Sequence, residues 1–219
     1  MEVAANIRKI KQELPEHVIL IAVSKTKPIN MILDAYHSGQ RDFGENKVQE
    51  WQQKHPQLPA DINWHLIGHL QTNKAKYVAG NVHLIHGVDS EKLLLEINKH
   101  AANRNSVQDC LLQLHIAKED TKFGFSEAEA IELIAKFQSS PLPNVRIRGL
   151  MGMATYSNNE NIIQEEFAGL RNTFNQIKHT YSLPHFDTLS MGMSSDYHIA
   201  IANGSNMIRI GSDIFGSRV

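Results

Sequence analysis

The sequence contains a single cysteine, Cys110, so no internal disulfide can form and the fold has to stand on its own core. A lone thiol suits a reducing compartment, and the cytoplasm is the expected location. Long apolar runs are missing as well. The longest, Val18 to Val23, falls far short of the ~20 residues that cross a bilayer, so no membrane association is expected. The N-terminal stretch MEVAANIRKIKQELPEH is charged throughout and has no apolar segment of the kind a secretory signal requires. Neither sign of charge is in surplus, with 22 Lys and Arg against 23 Asp and Glu. A chain that tracks a phosphate backbone needs a basic excess, and nucleic acid is therefore not expected as a partner. Walker A and Gly-x-Gly-x-x-Gly sequences are absent too, which excludes nucleotide binding by those routes. No linker, low-complexity tract or charge block divides the 219 residues, so one domain spanning 1–219 is expected.

What is present is an alternation. Val3, Ile7, Ile10 and Leu14 recur at helical spacing, and Pro15 ends this leading amphipathic helix. His17 to Lys25 follows as a wholly apolar, β-branched run, the pattern of a strand buried on both faces of a parallel sheet. Pro28 suits the first turn of a helix that continues through Met31 to Tyr36 and stops at Gly39. Further strands are expected at Asp42 to Asn46, Asn63 to His69, His83 to Asp89, Asp109 to Ala117, Val145 to Ala154, Thr188 to Ser194 and Met207 to Gly211. Helical stretches separate them: Lys47 to Lys54, Asn73 to Ala79, Ser90 to Asn103, Ser126 to Ser139, Asn161 to His179 and Ser195 to Asn203. Ser126-Glu127-Ala128-Glu129 has the form of a capping box. Eight strands alternating with helices predict an α/β fold, a single (β/α)8 TIM-type barrel with an extra N-terminal helix. At about 27 residues per unit this is a compact barrel.

In such a barrel the chemistry sits where the strands end. Lys25 closes the most apolar strand and shares a side with Ile21 and Val23, so its amine emerges at the mouth if that side faces inward. A lysine there can attack a carbonyl, since desolvation and a nearby cation such as Lys27 both disfavour the ammonium form; the ordinary alternative is a solvated lysine at a strand end. Gly211 and Ser212 follow strand eight, which lies beside strand one in a closed barrel, and Ser194 ends strand seven. The loops after strands seven and eight often hold a phosphate, and glycine N–H groups with serine hydroxyls are suitable donors. Arg209 alternates with Gly211 and should point inward, where a buried guanidinium needs acceptors. Asp42, Glu45 or Asp187 could form its internal ion pair. Asn46 adds a neutral donor and acceptor at the tip of strand two. An internal echo, Leu150-Met-Gly-Met-Ala-Thr155 and Ser190-Met-Gly-Met-Ser-Ser195, reads either as core filling or as part of the site. His65 and His69 would share a strand face without a third ligand, so no metal site is expected. Cys110 begins an apolar strand and reads as a packed thiol.

Ala22-Val-Ser-Lys-Thr-Lys-Pro28, Phe43-Gly-Glu-Asn46, Trp64-His-Leu-Ile-Gly-His-Leu-Gln-Thr-Asn-Lys74, Leu189-Ser-Met-Gly-Met-Ser194 and Met207-Ile-Arg-Ile-Gly-Ser-Asp-Ile-Phe-Gly216 together resemble the pyridoxal phosphate homeostasis protein family. The resemblance implies the fold of the N-terminal barrel of bacterial alanine racemase. It implies that Lys25 forms a covalent aldimine with pyridoxal 5'-phosphate, that Ser194, Gly211 and Ser212 hold the phosphate, that Arg209 faces the pyridine nitrogen and that Asn46 lies beside the cofactor. Ser195 and Ser212 stand where relatives often carry Asp and Thr, and both keep a polar side chain.

The function so implied is a pyridoxal phosphate-binding protein that buffers and carries the cofactor inside the cell and hands it to apo-enzymes, without strong catalysis of its own; a closed barrel with no long exposed apolar segment suits a monomer. The chain stops at Val219, and a racemase of this lineage would draw its second acid/base group from a further domain. Two alternatives stay open. One is a racemase-like enzyme whose opposite proton donor comes from His65, His69, Tyr156 or a neighbouring subunit. The other is a Schiff-base aldolase in which Lys25 attacks a sugar-phosphate carbonyl directly.

Overall fold

A computed structural model describes residues 2–118 and 123–216. Val219, on which the length argument turns, lies outside them. The leading helix α1 (Glu2–Glu13) is followed by β1 (Ile19–Val23), α2 (Ile29–His37), β2 (Asp42–Glu45), α3 (Val48–Lys54) and β3 (Asn63–Leu66). The chain continues through α4 (Ala75–Val78), β4 (Leu84–Val88), α5 (Glu91–Ala102), β5 (Gln108–Gln113), α6 (Glu127–Ser139), β6 (Val145–Met151) and α7 (Glu160–Tyr181). It closes with β7 (Thr188–Ser190), α8 (Tyr197–Ala202), β8 (Met207–Ile210) and α9 (Ser212–Phe215). All eight strands pair in parallel and in order, and β8 returns to β1 with Ile19 opposite Met207 and Ile21 opposite Arg209. The expected closed barrel is therefore the observed one.

Parallel strands covered by helices bury both faces, and two cores result. The larger lies between strands and helices; the smaller fills the barrel axis with Ile21, Leu84, Leu111, Met151 and Met207, against which Ile67 packs. Helix α1 buries Val3, Ile7 and Ile10, worth about 1.5–3 kcal/mol for each large side chain. Its Asn6 also donates to the Ile214 carbonyl of α9, 3.1 Å away. The capping box forms as expected, with Ser126 and Glu129 satisfying each other's backbone N–H groups at the start of α6.

Several strands end sooner than their apolar pattern predicts. β3 stops at Leu66, β5 at Gln113, β6 at Met151 and β7 at Ser190. Past β7, Gly192 takes φ +99, a left-handed conformation that turns the chain out of the sheet. The residues beyond these strand ends kept an apolar pattern because they line a cavity at the carboxyl mouth: Ile67, Gly68, Leu114, Ile116, Met153, Ala154 and Met193.

Candidate functional site

The mouth cavity encloses about 830 Å³, within the range of small-molecule sites. Lys25, Asn46, Ser194, Arg209, Gly211 and Ser212 all line it, so the structure brings together every site residue expected from the sequence. Two of them sit on different local structure from that expected. Ser194 is not on β7 but in the turn after it, where Met193 N–H donates to Asp196 Oδ1. Ser212 opens the short helix α9 rather than a loop, with Gly211 immediately before it. A Cβ at Gly211 would lie 3.3 Å from that of Val23, so a side chain there would crowd the end of β1.

Lys25 lies two residues past β1, held from both sides. Ser24 Oγ donates to Glu45 Oε1 at 2.6 Å, and Lys54 Nζ reaches both the Ser24 carbonyl and Glu45 Oε1, each at 2.8 Å. Beyond Lys25, Thr26 adopts φ +64, unfavourable for a β-branched residue. Its N–H donates to Glu50, which also accepts from Lys54 at 2.6 Å. Burial pushes the Glu45 carboxyl above its usual range, and the hydrogen bonds from Lys54 and Ser24 oppose that without reversing it. Lys27 donates to the Phe215 and Gly216 carbonyls, tying the segment after β1 to the end of α9.

Arg209 is 4 % exposed and points into the barrel. None of the carboxylates considered from sequence pairs with it: Asp42 bonds His65 and Asn63, Glu45 bonds Ser24 and Lys54, and Asp187 bonds Arg148. Neutral oxygens take their place. Nη1 donates to the Ser190 carbonyl at 2.9 Å and to Ser190 Oγ at 2.6 Å, and Nη2 donates to the Gly152 carbonyl at 3.1 Å. The two repeated segments thus meet at one guanidinium, with Ser190 and Gly152 as its acceptors; Met151 and Met191 fill the core while Met153 and Met193 line the cavity, so each reading of the echo holds for part of it. Burial lowers the Arg209 pKa to about 10, with Asp196 acting in the opposite sense, so the group stays cationic at neutral pH.

The histidines separate. His69 lines the mouth and bonds Asp89 Oδ2 at 2.7 Å, whereas His65 is buried in the barrel, bonded to His86 and Asp42. They do not share a face, because β3 ends between them. His65 has different company: its ligand atom and those of Asp42 and His83 lie within 4.8 Å of one another, a group that could hold a metal ion and that the His65–His69 spacing did not reveal. Tyr156 is 90 % exposed at the rim, and His115, not singled out from sequence, also lines the cavity. Cys110 is buried and its thiol is pushed up by burial, as a packed residue should be.

Among the described residues the cavity lining includes Lys25, Lys27 and Arg209 and no Asp or Glu. A parallel barrel with an amine at the end of its first strand, hydroxyl and glycine donors after the seventh and eighth, and a cation between them belongs to the class of the alanine racemase N-terminal domain, whose family model matches residues 2–219. The "Pyridoxal phosphate homeostasis protein" of Aquifex aeolicus is 41% identical over 202 residues, covering 91% of this chain and 86% of that protein. PipY of Synechococcus elongatus, solved without and with PLP bound, is 36% identical and superposes with TM-scores of 0.92 and 0.89 over 98% of this chain and 100% of that one. An alanine racemase of Clostridium difficile shares the fold at TM-score 0.79 and 14% identity, and the match spans 56% of its length. The chain belongs to the pyridoxal phosphate homeostasis protein family.

Two outcomes follow from the buried groups. Lys54→Met strips the cation from a buried carboxylate and is expected to cost roughly 3–5 kcal/mol; Glu45→Gln combined with it should recover most of that in urea denaturation, and equal loss in single and double variants would contradict the pairing. Burial also lowers the pKa of His65 and sets that of His86 well below the usual value. The folded state therefore refuses protons that the unfolded chain accepts, so stability is full above about pH 7 and falls on acidification through about 6.5, by up to ~1.4 kcal/mol per pH unit for each histidine. Urea midpoints measured from pH 8 to pH 5.5 check this, and a flat profile would contradict it.

Proposed function

We propose that this chain binds pyridoxal 5'-phosphate in the mouth cavity and serves as an intracellular carrier and buffer of it, with no strong catalysis of its own. The observation that carries the reading is the charge of the lining: among the described residues, cations and neutral donors without a carboxylate. That set fits a phosphate ester bearing an aldehyde. Bound there, the cofactor supplies an electrophilic aldehyde and a ring that can accept electron density.

In this reading the Lys25 amine meets the aldehyde, Ser194, Gly211 and Ser212 donate to the phosphate, Asn46 borders the ring, and Arg209 faces the ring nitrogen. A guanidinium has five donors and no acceptor. Opposite a ring nitrogen it can only donate, which keeps that nitrogen unprotonated and the ring a weak electron sink. Turnover of amino acids would then need strong acid/base help. His65 cannot give it, being buried at the far side of Arg209 and bonded to Asp42 and His86; His69 and Tyr156 remain at the rim. The reading extends to a single-domain, monomeric, cytoplasmic protein that hands the cofactor to apo-enzymes dependent on it. The curated relatives are named for pyridoxal phosphate homeostasis and not for a reaction, which supports this reading over a catalytic one.

The purified protein is expected to be yellow, and borohydride reduction should fix the cofactor's mass on the peptide containing Lys25. Lys25→Ala should abolish that adduct, whereas an equally reducible adduct in Lys25→Ala would overturn the assignment. Alanine incubated with loaded protein in heavy water should exchange its α-proton only marginally; robust exchange would favour the racemase reading, and a colourless protein that reacts with sugar phosphates would favour the aldolase.

A further inference from the structure

Barrel interiors of this class are ordinarily filled with branched apolar side chains. Here one part of the interior is polar. His65 on β3, His86 on β4, Ser190 on β7 and Arg209 on β8 are all buried and joined in series. Arg209 Nη1 lies 2.6 Å from Ser190 Oγ, which lies 3.1 Å from His86 Nδ1. His86 Nε2 is 2.9 Å from His65 Nδ1, and His65 Nε2 is 3.2 Å from Asp42 Oδ1. Four hydrogen bonds thus run from the wall of the cavity to the first residue of β2, at the opposite end of the barrel.

Chemistry fixes the direction of the two end links, and neutral imidazoles then fix the two between them. The guanidinium cannot accept, so Ser190 Oγ accepts from it and has its own hydrogen left to donate. The carboxylate of Asp42 cannot donate, so His65 Nε2 carries a hydrogen toward it. With both imidazoles neutral, one arrangement satisfies all four links: Ser190 O–H donates to His86 Nδ1, His86 Nε2–H to His65 Nδ1, and His65 Nε2–H to Asp42. Donors all point away from Arg209, so the bond dipoles align head to tail with their negative ends toward the guanidinium, and each bond strengthens the next. At the outer end, Asn63 Nδ2 also donates to Asp42 Oδ1 at 3.1 Å, and the His83 ring lies 5.2 Å from that of His65.

We propose that Asp42, His65 and His86 are positioning residues for the cofactor's ring: they orient the Ser190 hydroxyl so that it only accepts from Arg209, and thereby fix the guanidinium that faces the ring nitrogen. This rests on the reading that Arg209 meets that nitrogen. Asp42 serves as the remote counter-charge, and the two imidazoles transmit its polarity across the barrel. Without the chain, the Ser190 hydroxyl can rotate its hydrogen toward the guanidinium, and Arg209 loses an acceptor and its fixed orientation.

The test has a part that needs no cofactor. In protein labelled with 15N at histidine, long-range 15N–1H spectra at pH 7 should show His65 and His86 neutral, both with hydrogen on Nε2. An Nδ1–H form or an imidazolium at either residue overturns the proposal, and this measurement stands even if the substituted variants fail to fold. Protein loaded with pyridoxal phosphate labelled with 15N in the ring supplies the second part. His86→Leu and Asp42→Leu should shift the ring nitrogen resonance and the visible absorbance while Lys25 remains the site of reduction, and Asp42→Asn, which keeps an acceptor oxygen, should restore most of the native signal. If Arg209→Leu shifts the ring resonance and neither chain variant does, the proposal fails and the reading of Arg209 survives. If Arg209→Leu is also silent, the reading of Arg209 itself fails.

Discussion

A guanidinium inside a parallel barrel has to be solvated by the protein, because it cannot discard its proton at neutral pH and the surrounding strands have spent their own backbone groups on each other. Arg209 meets that constraint without a direct carboxylate. It uses carbonyl oxygens at the carboxyl ends of β6 and β7, those of Gly152 and of Ser190, the latter shared with the Gly152 N–H, and a hydroxyl bonded in turn to the first of two linked imidazoles. Much else is arranged around this group: the early ends of β6 and β7, the left-handed turn at Gly192, and a barrel interior that is polar toward β3, β4, β7 and β8 while Ile21, Leu84, Leu111, Met151 and Met207 pack the remainder.

The amine at the other side of the cavity is held by a different device. Lys25 sits on a segment whose flanks are bonded to Glu45, Glu50 and Lys54, and the left-handed Thr26 persists because Glu50 accepts its N–H. Backbone in such conformations survives only where the surroundings over-determine it. The Lys25 amine and the Arg209 guanidinium thus reach one cavity from independent supports, with Lys27, which also lines it, tying the first segment to α9. This division suits a holder of a reactive phosphate ester. In the proposed function the amine and the phosphate donors would provide retention, and the guanidinium would keep the ring from becoming a strong electron sink.

The alternation of strands and helices was legible in the sequence because buried parallel strands and amphipathic helices leave opposite periodicities. The residues that line the mouth cavity were legible one by one because strand ends in a barrel open on the mouth, and the alternation of Arg209 and Gly211 and the position of Lys25 just past β1 bring them there. Strand lengths were overestimated: apolar residues such as Ile116 and Met193 look the same to a pattern whether they pair in a sheet or line a cavity. The partners of Arg209 were misjudged for a related reason. Sequence offers carboxylates as candidates, but the acceptors used are main-chain oxygens at Gly152 and Ser190, and main-chain direction is invisible in residue type. The repeated Met-Gly-Met was the available signal, and its meaning needed both copies in space. His86 carried no signal on its own, since its partners come from β3 and β7.

The central claim is that a cation, not an acid, meets the ring of a cofactor bonded to Lys25. A crystal structure of the protein soaked with pyridoxal phosphate tests it most directly. The account predicts continuous density from Lys25 Nζ to the cofactor, the phosphate among Ser194, Gly211 and Ser212, and the ring nitrogen within hydrogen-bond distance of Arg209. A ring nitrogen facing a carboxylate, or a cofactor seated elsewhere with Lys25 untouched, would contradict it.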